Sequence, residues 1–314
     1  MNLLLRAVAI MSFGKLLFAF QDVIVKEMSG LYPMHEIMTI RGLVSVPLLL
    51  LVIHFSVRLS SLRMHHPGYH VLRGLLMFMA FMAFYVALSE ISLTTVTALF
   101  FTAPFFITLL SVPMLGERVG PRRFASIGVG FVGVLIVLRP EAGPLNLVML
   151  LPVLAAFLYA LCQLLVRFAK LTTPPAIMSL YTGLAFAILA PLVGLVFVGA
   201  EIPETAAAST RAMLLPWVLP RCIDWLWLSL TGVTSAFGFM CMSYAYQKAQ
   251  ASRLAPFEYV LIIWVTILSY LVWSELPDAQ TLIGLVLIIG SGIYVLHREG
   301  KTEAEPIAHS GLNR

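Results

Sequence analysis

Residues 103–141 read APFFITLLSVPMLGERVGPRRFASIGVGFVGVLIVLRPE, and residues 255–299 read APFEYVLIIWVTILSYLVWSELPDAQTLIGLVLIIGSGIYVLHRE. Both stretches open on Ala-Pro-Phe and run apolar to a polar break, Met114-Leu115-Gly116-Glu117 in one and Val272-Trp273-Ser274-Glu275 in the other. Both close on a second apolar run with a charged end, Val137-Leu138-Arg139-Pro140-Glu141 and Val295-Leu296-His297-Arg298-Glu299. The breaks lie 158 residues apart, and so do the ends, in a chain of 314. The opening triplets are 152 apart, so the two copies differ by a gap. What is written twice is a pair of continuously apolar runs of about 20 residues, the length a helix needs to cross hydrocarbon. A membrane β-barrel would alternate apolar and polar residues instead.

Working outward, ten such runs can be marked, at roughly 5–25, 35–55, 70–89, 93–114, 121–139, 147–167, 175–199, 223–246, 252–273 and 279–297. The composition agrees: 60% of residues are apolar and 11% are charged, against about 25% charged in a soluble domain. A water-soluble enzyme, a nucleic-acid binder and a disordered chain are excluded on that ground, despite the formal charge of +5. The spans leave no room for a soluble domain, and the tail from Glu299 to Arg314 reads as polar and disordered. The first run carries Lys15 and Asp22 and has no small-residue cleavage site, so it reads as a retained helix rather than a signal peptide. Cys162, Cys222 and Cys241 have no metal-ligand spacing and read as buried thiols.

With the N-terminus in the cytoplasm, fourteen of the twenty Lys and Arg residues fall on the cytoplasmic side, four fall outside, and Lys15 and Arg41 fall within spans. That bias sets the orientation, with both termini inside and the 56–69 connection cytoplasmic. The basic balance thus reports topology and anionic lipid rather than DNA.

Runs 1 and 6 also correspond, as Phe18…Asp22-Val23-Ile24-Val25-Lys26 and Tyr159…Gln163-Leu164-Leu165-Val166-Arg167, 141 apart. Each half therefore holds five helices. Five is odd, so the second half enters the membrane from the opposite side. The expected fold is all-α integral membrane, ten transmembrane helices forming an inverted repeat, with halves at 1–143 and 144–298 and a tail at 299–314. Such repeats are built around a midplane site in secondary transporters.

These residues resemble the EamA family of the drug/metabolite transporter superfamily. The matching features are Asp22…Lys26, Arg41-Gly42-Leu43, Arg73-Gly74-Leu75, Tyr85-Val86-Ala87-Leu88, Ala103-Pro104 running to Gly116-Glu117-Arg118, and Ala255-Pro256-Phe257-Glu258-Tyr259 followed by Ser274-Glu275. The resemblance covers about residues 8–298. It implies ten helices, cytoplasmic termini, transport of small organic metabolites, and helices 5 and 10 bracing the bundle outside the pathway. Among relatives the chain looks most like carriers of S-adenosylmethionine or amino-acid-type metabolites, with riboflavin carriers a similar group. Where relatives carry an aromatic in helix 1, this chain has Phe13-Gly14-Lys15.

An ionisable residue at mid-span costs about 2.5–3.5 kcal/mol on insertion scales, so it needs a partner or a wet cavity. Lys15, Asp22, Arg41 and Glu258 are such residues. Lys15 and Asp22 are seven apart and share a helix face. Arg41 enters at a depth similar to Asp22, and Lys15 and Glu258 are close enough in depth for long side chains to meet. The four are expected to line one pathway, with Lys15 or Arg41 holding a substrate carboxylate and Asp22 or Glu258 an amine or a proton. Two static ion pairs are the alternative. Tyr85, Gln163, Tyr244 and Tyr259, together with Gln21 and Tyr181, are candidate hydrogen-bonding groups. Trp225, Trp227 and Trp273 suit the aromatic belt, Ser126, Gly130 and Gly290-Ser291-Gly292 close helix packing, and Pro104 and Pro256 kinks or hinges.

A secondary carrier working by alternating access accounts for the repeat and the buried charges. A phosphate loop of the Gly-x-x-x-x-Gly-Lys-Ser/Thr kind is not present in the sequence, so a gradient is the expected energy source. Protons through Asp22 or Glu258 are the candidate coupling ion. A small solute and membrane lipid are the expected partners, the chain acting as monomer or homodimer, with no cofactor, no metal and no nucleic acid. A membrane-embedded enzyme is the alternative class, but His65, His66 and His70 read as loop residues without a carboxylate cluster. The expected location is a bacterial inner membrane.

Overall fold

The computed structural model describes residues 3–56, 67–116, 120–138, 147–168, 173–197, 207–249, 254, 257–258, 260–274 and 276–302. Among them every regular element is helical. In chain order these are α1 (Leu3–Met28), α2 (Met34–Ser56), α3 (Pro67–Leu88), α4 (Leu93–Phe100), α5 (Ala103–Leu115), α6 (Pro121–Leu138), α7 (Leu150–Phe168), α8 (Pro175–Val196), α9 (Ala208–Leu214), α10 (Cys222–Lys248), α11 (Val260–Trp273) and α12 (Ala279–Thr302). Seven stretches of the described residues are helical, long and apolar enough to cross a membrane, α4 and α5 together forming one of them. The chain is therefore an integral membrane protein. Tyr259, Pro256, Glu117, Glu275, Arg139–Glu141, the 57–66 connection and the tail from 303 onward lie outside the described residues.

The helix ends follow from local chemistry. Pro67, Pro121 and Pro175 each open a helix, where a missing N–H costs nothing. Ser92 caps α4 by accepting from the Thr95 amide at 3.3 Å. Between α4 and α5 the backbone tightens, with the Phe101 amide shared between the carbonyls of Thr97 (3.1 Å) and Ala98 (3.2 Å). Pro104 follows and has no N–H to give the Phe100 carbonyl, so the fourth apolar run is two helices rather than one. At its other end α12 runs on to Thr302, beyond the expected limit near 297. His297-Arg298-Glu299 ends the apolar run but does not forbid a helix.

Both halves end their fourth run in the same way. Gly116 has φ 67° and its amide bonds the Val112 carbonyl at 3.1 Å. Ser274, 158 residues later, has φ 56° and its amide bonds the Tyr270 carbonyl at 2.9 Å. A left-handed residue ends a helix cheaply only when it is glycine. Ser274→Gly is therefore expected to stabilise the protein by about 0.5–1 kcal/mol, read as a raised thermal midpoint in detergent.

The helices pack in a definite set of pairs. α1 lies against α10 and α7 against α3; α1 also meets α11, and α7 also meets α5. α2 lies along α8, and α6 along α12. Gly42 makes the α2–α8 approach possible, because a Cβ there would stand 2.4 Å from the Ala187 backbone nitrogen. Aliphatic side chains of α6, α11 and α12, such as Val132, Leu271 and Val286, are exposed and form an apolar outer surface. Trp225 and Trp227 are likewise exposed near the start of α10. All three cysteines are free, but only Cys162 is buried; Cys222 is exposed because it begins α10 at the end of the bundle.

Candidate substrate site in the middle of the bundle

Two turns of α1 set the site. Lys15 and Asp22 both line a cavity of about 40 Å³ whose other walls are Phe18, Ala80, Phe81, Phe84, Phe100, Tyr159 and Leu261. Their spacing of seven residues corresponds to about 10 Å along the helix. The cavity thus has a cation at one end, a carboxylate at the other and aromatic rings between. Its volume admits a few waters, whereas a bound metabolite of ordinary size needs about 300 Å³ or more. A metabolite of that size would fit there only if the helices parted.

At the Lys15 end the charges are closed on one another. Lys15 forms an ion pair with Glu258, each almost wholly buried, and its ammonium also reaches the Tyr159 hydroxyl at 3.4 Å. Tyr159 donates to Glu258 Oε1 at 3.0 Å and lies 3.3 Å from Oε2. Tyr246 donates to Oε1 at 2.6 Å. This network joins α1 in the first half to α7, α10 and the turn before α11 in the second. Low dielectric makes such a completed network strong and a broken one costly.

At the Asp22 end the charges are held apart. Among the described residues Asp22 and Arg41 form no direct ion pair; the Tyr85 hydroxyl stands between them, 3.1 Å from Asp22 Oδ1, to which it donates, and 3.4 Å from Arg41 Nη1, from which it accepts. The Arg41 guanidinium lies over the rings of Phe81 (4.2 Å), Phe186 (4.7 Å) and Phe239 (5.3 Å). With its oxygen facing Arg41 Nη1 at 3.3 Å and its nitrogen the Thr231 carbonyl at 3.2 Å, the Gln21 amide also accepts from the Tyr85 hydroxyl at 2.5 Å, so Gln21 and Asp22 compete for that hydroxyl's one proton.

Both ends of the bundle are tied across. At one end Tyr32 donates to Asp224 Oδ2 at 2.6 Å, Arg221 Nε reaches the same oxygen at 2.9 Å, and the Val218 amide donates to Glu36 Oε2 at 2.9 Å. His35 meets Trp217 edge-on there, with ring centroids 5.1 Å apart. At the other end Arg73 of α3 donates to the Met178 carbonyl (2.9 Å), Thr182 (2.6 Å) and Ser243 (3.3 Å) of α8 and α10.

Of the site residues singled out from sequence, only Lys15 and Asp22 line the cavity; Glu258 pairs with Lys15, and Tyr85 links Asp22 to Arg41. Gln163 is buried one turn beyond Tyr159 in α7, and its carbonyl oxygen has no partner among the described residues. Tyr244 does not reach the site. Its ring lies under Lys248 at 6.0 Å near the end of α10, and Tyr246 takes the inward position instead. His70 is not a loop residue but a buried member of α3, 4.6 Å from the Tyr181 ring. Sequence reasoning missed Tyr246 and the Phe81, Phe186 and Phe239 cage. It noted Tyr159 only as the counterpart of Phe18, yet both line the cavity, so that correspondence was the signal for it.

Comparison with known proteins bears on this geometry. The EamA-like transporter family matches residues 5–139 and again residues 146–296. An S-adenosylmethionine uptake transporter of Rickettsia bellii is 28% identical over 263 residues, covering 84% of this chain and 83% of that protein. A riboflavin transporter of Rhizobium johnstonii is 27% identical over 248 residues, covering 79% and 76%. An uncharacterized transporter of Helicobacter pylori is 28% identical over 299 residues, covering 94% and 95%. A solved crystal structure superposes with a TM-score of 0.68 at 18% identity, over 96% of this chain and 99% of that one; at that identity the likeness concerns the fold alone.

Proposed function

We propose a substrate class and a working cycle for this chain, which belongs to the EamA-like transporter family. The substrate is a small organic metabolite bearing charges of both signs and a planar ring, of the kind S-adenosylmethionine represents. The observation that carries this reading is the cavity itself, with Lys15 and Asp22 at its ends and five aromatic side chains in its walls. Opposite charges complement a zwitterion, and aromatic faces attract both flat rings and cations. The relatives named for S-adenosylmethionine uptake point the same way. Riboflavin, the named solute of other relatives, is favoured by the aromatic walls but leaves the buried charges without a ligand role.

The cycle is alternating access by two inverted five-helix halves, at 1–143 and 144–298. The family matches the chain twice, and the helix pairs support a two-fold relation. When the apolar runs are numbered one to ten, adding five turns the α1–α10 pair into α7–α3 and the α1–α11 pair into α7–α5. The same exchange returns α2–α8 and α6–α12 to themselves. The ties at the two ends would break in turn, the Arg73 end on the cytoplasmic side and the Tyr32–Asp224 end outside. The setting is a bacterial inner membrane with both termini cytoplasmic and protons the candidate coupling ion. A cysteine placed in the 57–66 connection should then react with an impermeant reagent only from inside.

Proteoliposomes test the substrate. Labelled S-adenosylmethionine should enter saturably with the protein present, and riboflavin should compete weakly. Saturable riboflavin flux that S-adenosylmethionine does not inhibit would turn the assignment to the second solute.

A further inference from the structure

We infer that Arg41 and Asp22 form the receptor for an ammonium–carboxylate head group, Arg41 taking the carboxylate, with Phe81 covering it between substrates. The assignment rests on the zwitterionic reading above and decides which of the two buried cations meets the solute's anionic end.

The two charge clusters differ in one respect that matters. Glu258 has both oxygens engaged, by Lys15, Tyr159 and Tyr246, and Lys15 is spent on the same network. A substrate carboxylate at that end would compete with Glu258 for the Lys15 ammonium. Arg41 is as deeply buried, at 1% exposure, yet only its Nη1 is engaged. Nε and Nη2 have no partner among the described residues. Those two nitrogens form the side-on fork that accepts both oxygens of a carboxylate in one plane, the geometry in which arginine binds most strongly and selectively.

The spacing at this end fits the same ligand. Opposite charges in a low-dielectric interior attract strongly and collapse into contact unless something is placed between them. Lys15 and Glu258 have done so. Asp22 and Arg41 have not, because both are tethered to the single hydroxyl of Tyr85. A molecule with its own ammonium and carboxylate on one carbon neutralises both at once, ammonium to Asp22 and carboxylate to Arg41. Asp22 already lines the cavity. Arg41 is one ring away from it, because Phe81 both lines the cavity and stacks on the guanidinium at 4.2 Å. A swing of that ring uncovers the fork, and the cation–π contacts keep the charge solvated until a carboxylate arrives.

Equilibrium binding to the purified protein in detergent tests the assignment, with S-adenosylmethionine and its decarboxylated form as probes. Wild-type protein should bind the decarboxylated probe about tenfold or more weakly, as loss of a charge-assisted hydrogen bond implies. In Arg41→Lys, which keeps the charge and loses the fork, the ratio should fall towards one. In the double variant Lys15→Met with Glu258→Gln it should persist. Phe81→Ala removes no charged group and should tighten the intact probe selectively, so the idea does not depend on an arginine variant folding. Equal binding of the two probes by wild-type protein overturns the head-group assignment alone. A ratio that survives in Arg41→Lys and vanishes in the double variant moves the carboxylate to Lys15 and overturns it as well. If wild-type protein binds neither probe, the zwitterionic reading fails and this assignment with it.

Discussion

Glu258→Gln is expected to stop transport and to lower the thermal midpoint in one step. The glutamate is almost wholly buried and is the counter-ion of Lys15. Its neutral replacement leaves an ammonium in a dry interior, and breaking a buried pair on one side costs about 3–5 kcal/mol. Part of that is recoverable without restoring function. Lys15→Met combined with Glu258→Gln removes both charges, so the midpoint should return most of the way while flux into proteoliposomes stays at background. The separation follows from where the pair sits, joining α1 of the first half to α7 and α10 of the second through Tyr159 and Tyr246. A double variant that carries solute at the wild-type rate would reduce the pair to scaffolding.

Asp22→Asn should behave differently, with large loss of transport and little loss of stability. An asparagine oxygen still accepts from the Tyr85 hydroxyl, which lies 3.1 Å from the aspartate. The change removes only the negative charge at the cavity wall. A charged hydrogen bond to a substrate cation is worth about 1.5–3 kcal/mol, so saturable flux at low substrate should fall by about tenfold to a hundredfold. An unshifted midpoint with unchanged flux would place Asp22 outside the substrate path.

The parts of this protein that could be read from its sequence are those where residues violate their surroundings. Lys15, Asp22, Arg41 and Glu258 stand out because each interrupts an apolar run. The placement of two of them was legible too, since a spacing of seven puts Lys15 and Asp22 on one face and both line the cavity. The Lys15–Glu258 pair was legible from the matching depth of the two residues, but the way Asp22 and Arg41 meet was not. The geometry sets Tyr85 between Asp22 and Arg41, and a hydroxyl's position depends on how α1, α2 and α3 pack. Tyr246 and Tyr244 are two positions apart on α10, about 200° around the helix, and only packing says which turns inward. The Arg41 cage was hidden for another reason. Phe81, Phe186 and Phe239 are three of twenty phenylalanines, and nothing local distinguishes a ring on a guanidinium from a ring against lipid. Arg73 counted from sequence as a cytoplasmic-side charge and as part of the Arg73-Gly74-Leu75 resemblance, and its ties to α8 and α10 depend on contacts between the halves.

The interruption between α4 and α5 has a mechanical consequence. A continuous helix transmits a push along its whole length, whereas a two-piece rod with a joint does not. The joint at Phe101–Thr102 adjoins Phe100, which lines the cavity, and the carbonyl of Phe100 lacks the donor that Pro104 cannot supply. Either segment can therefore tilt while its neighbour stays seated.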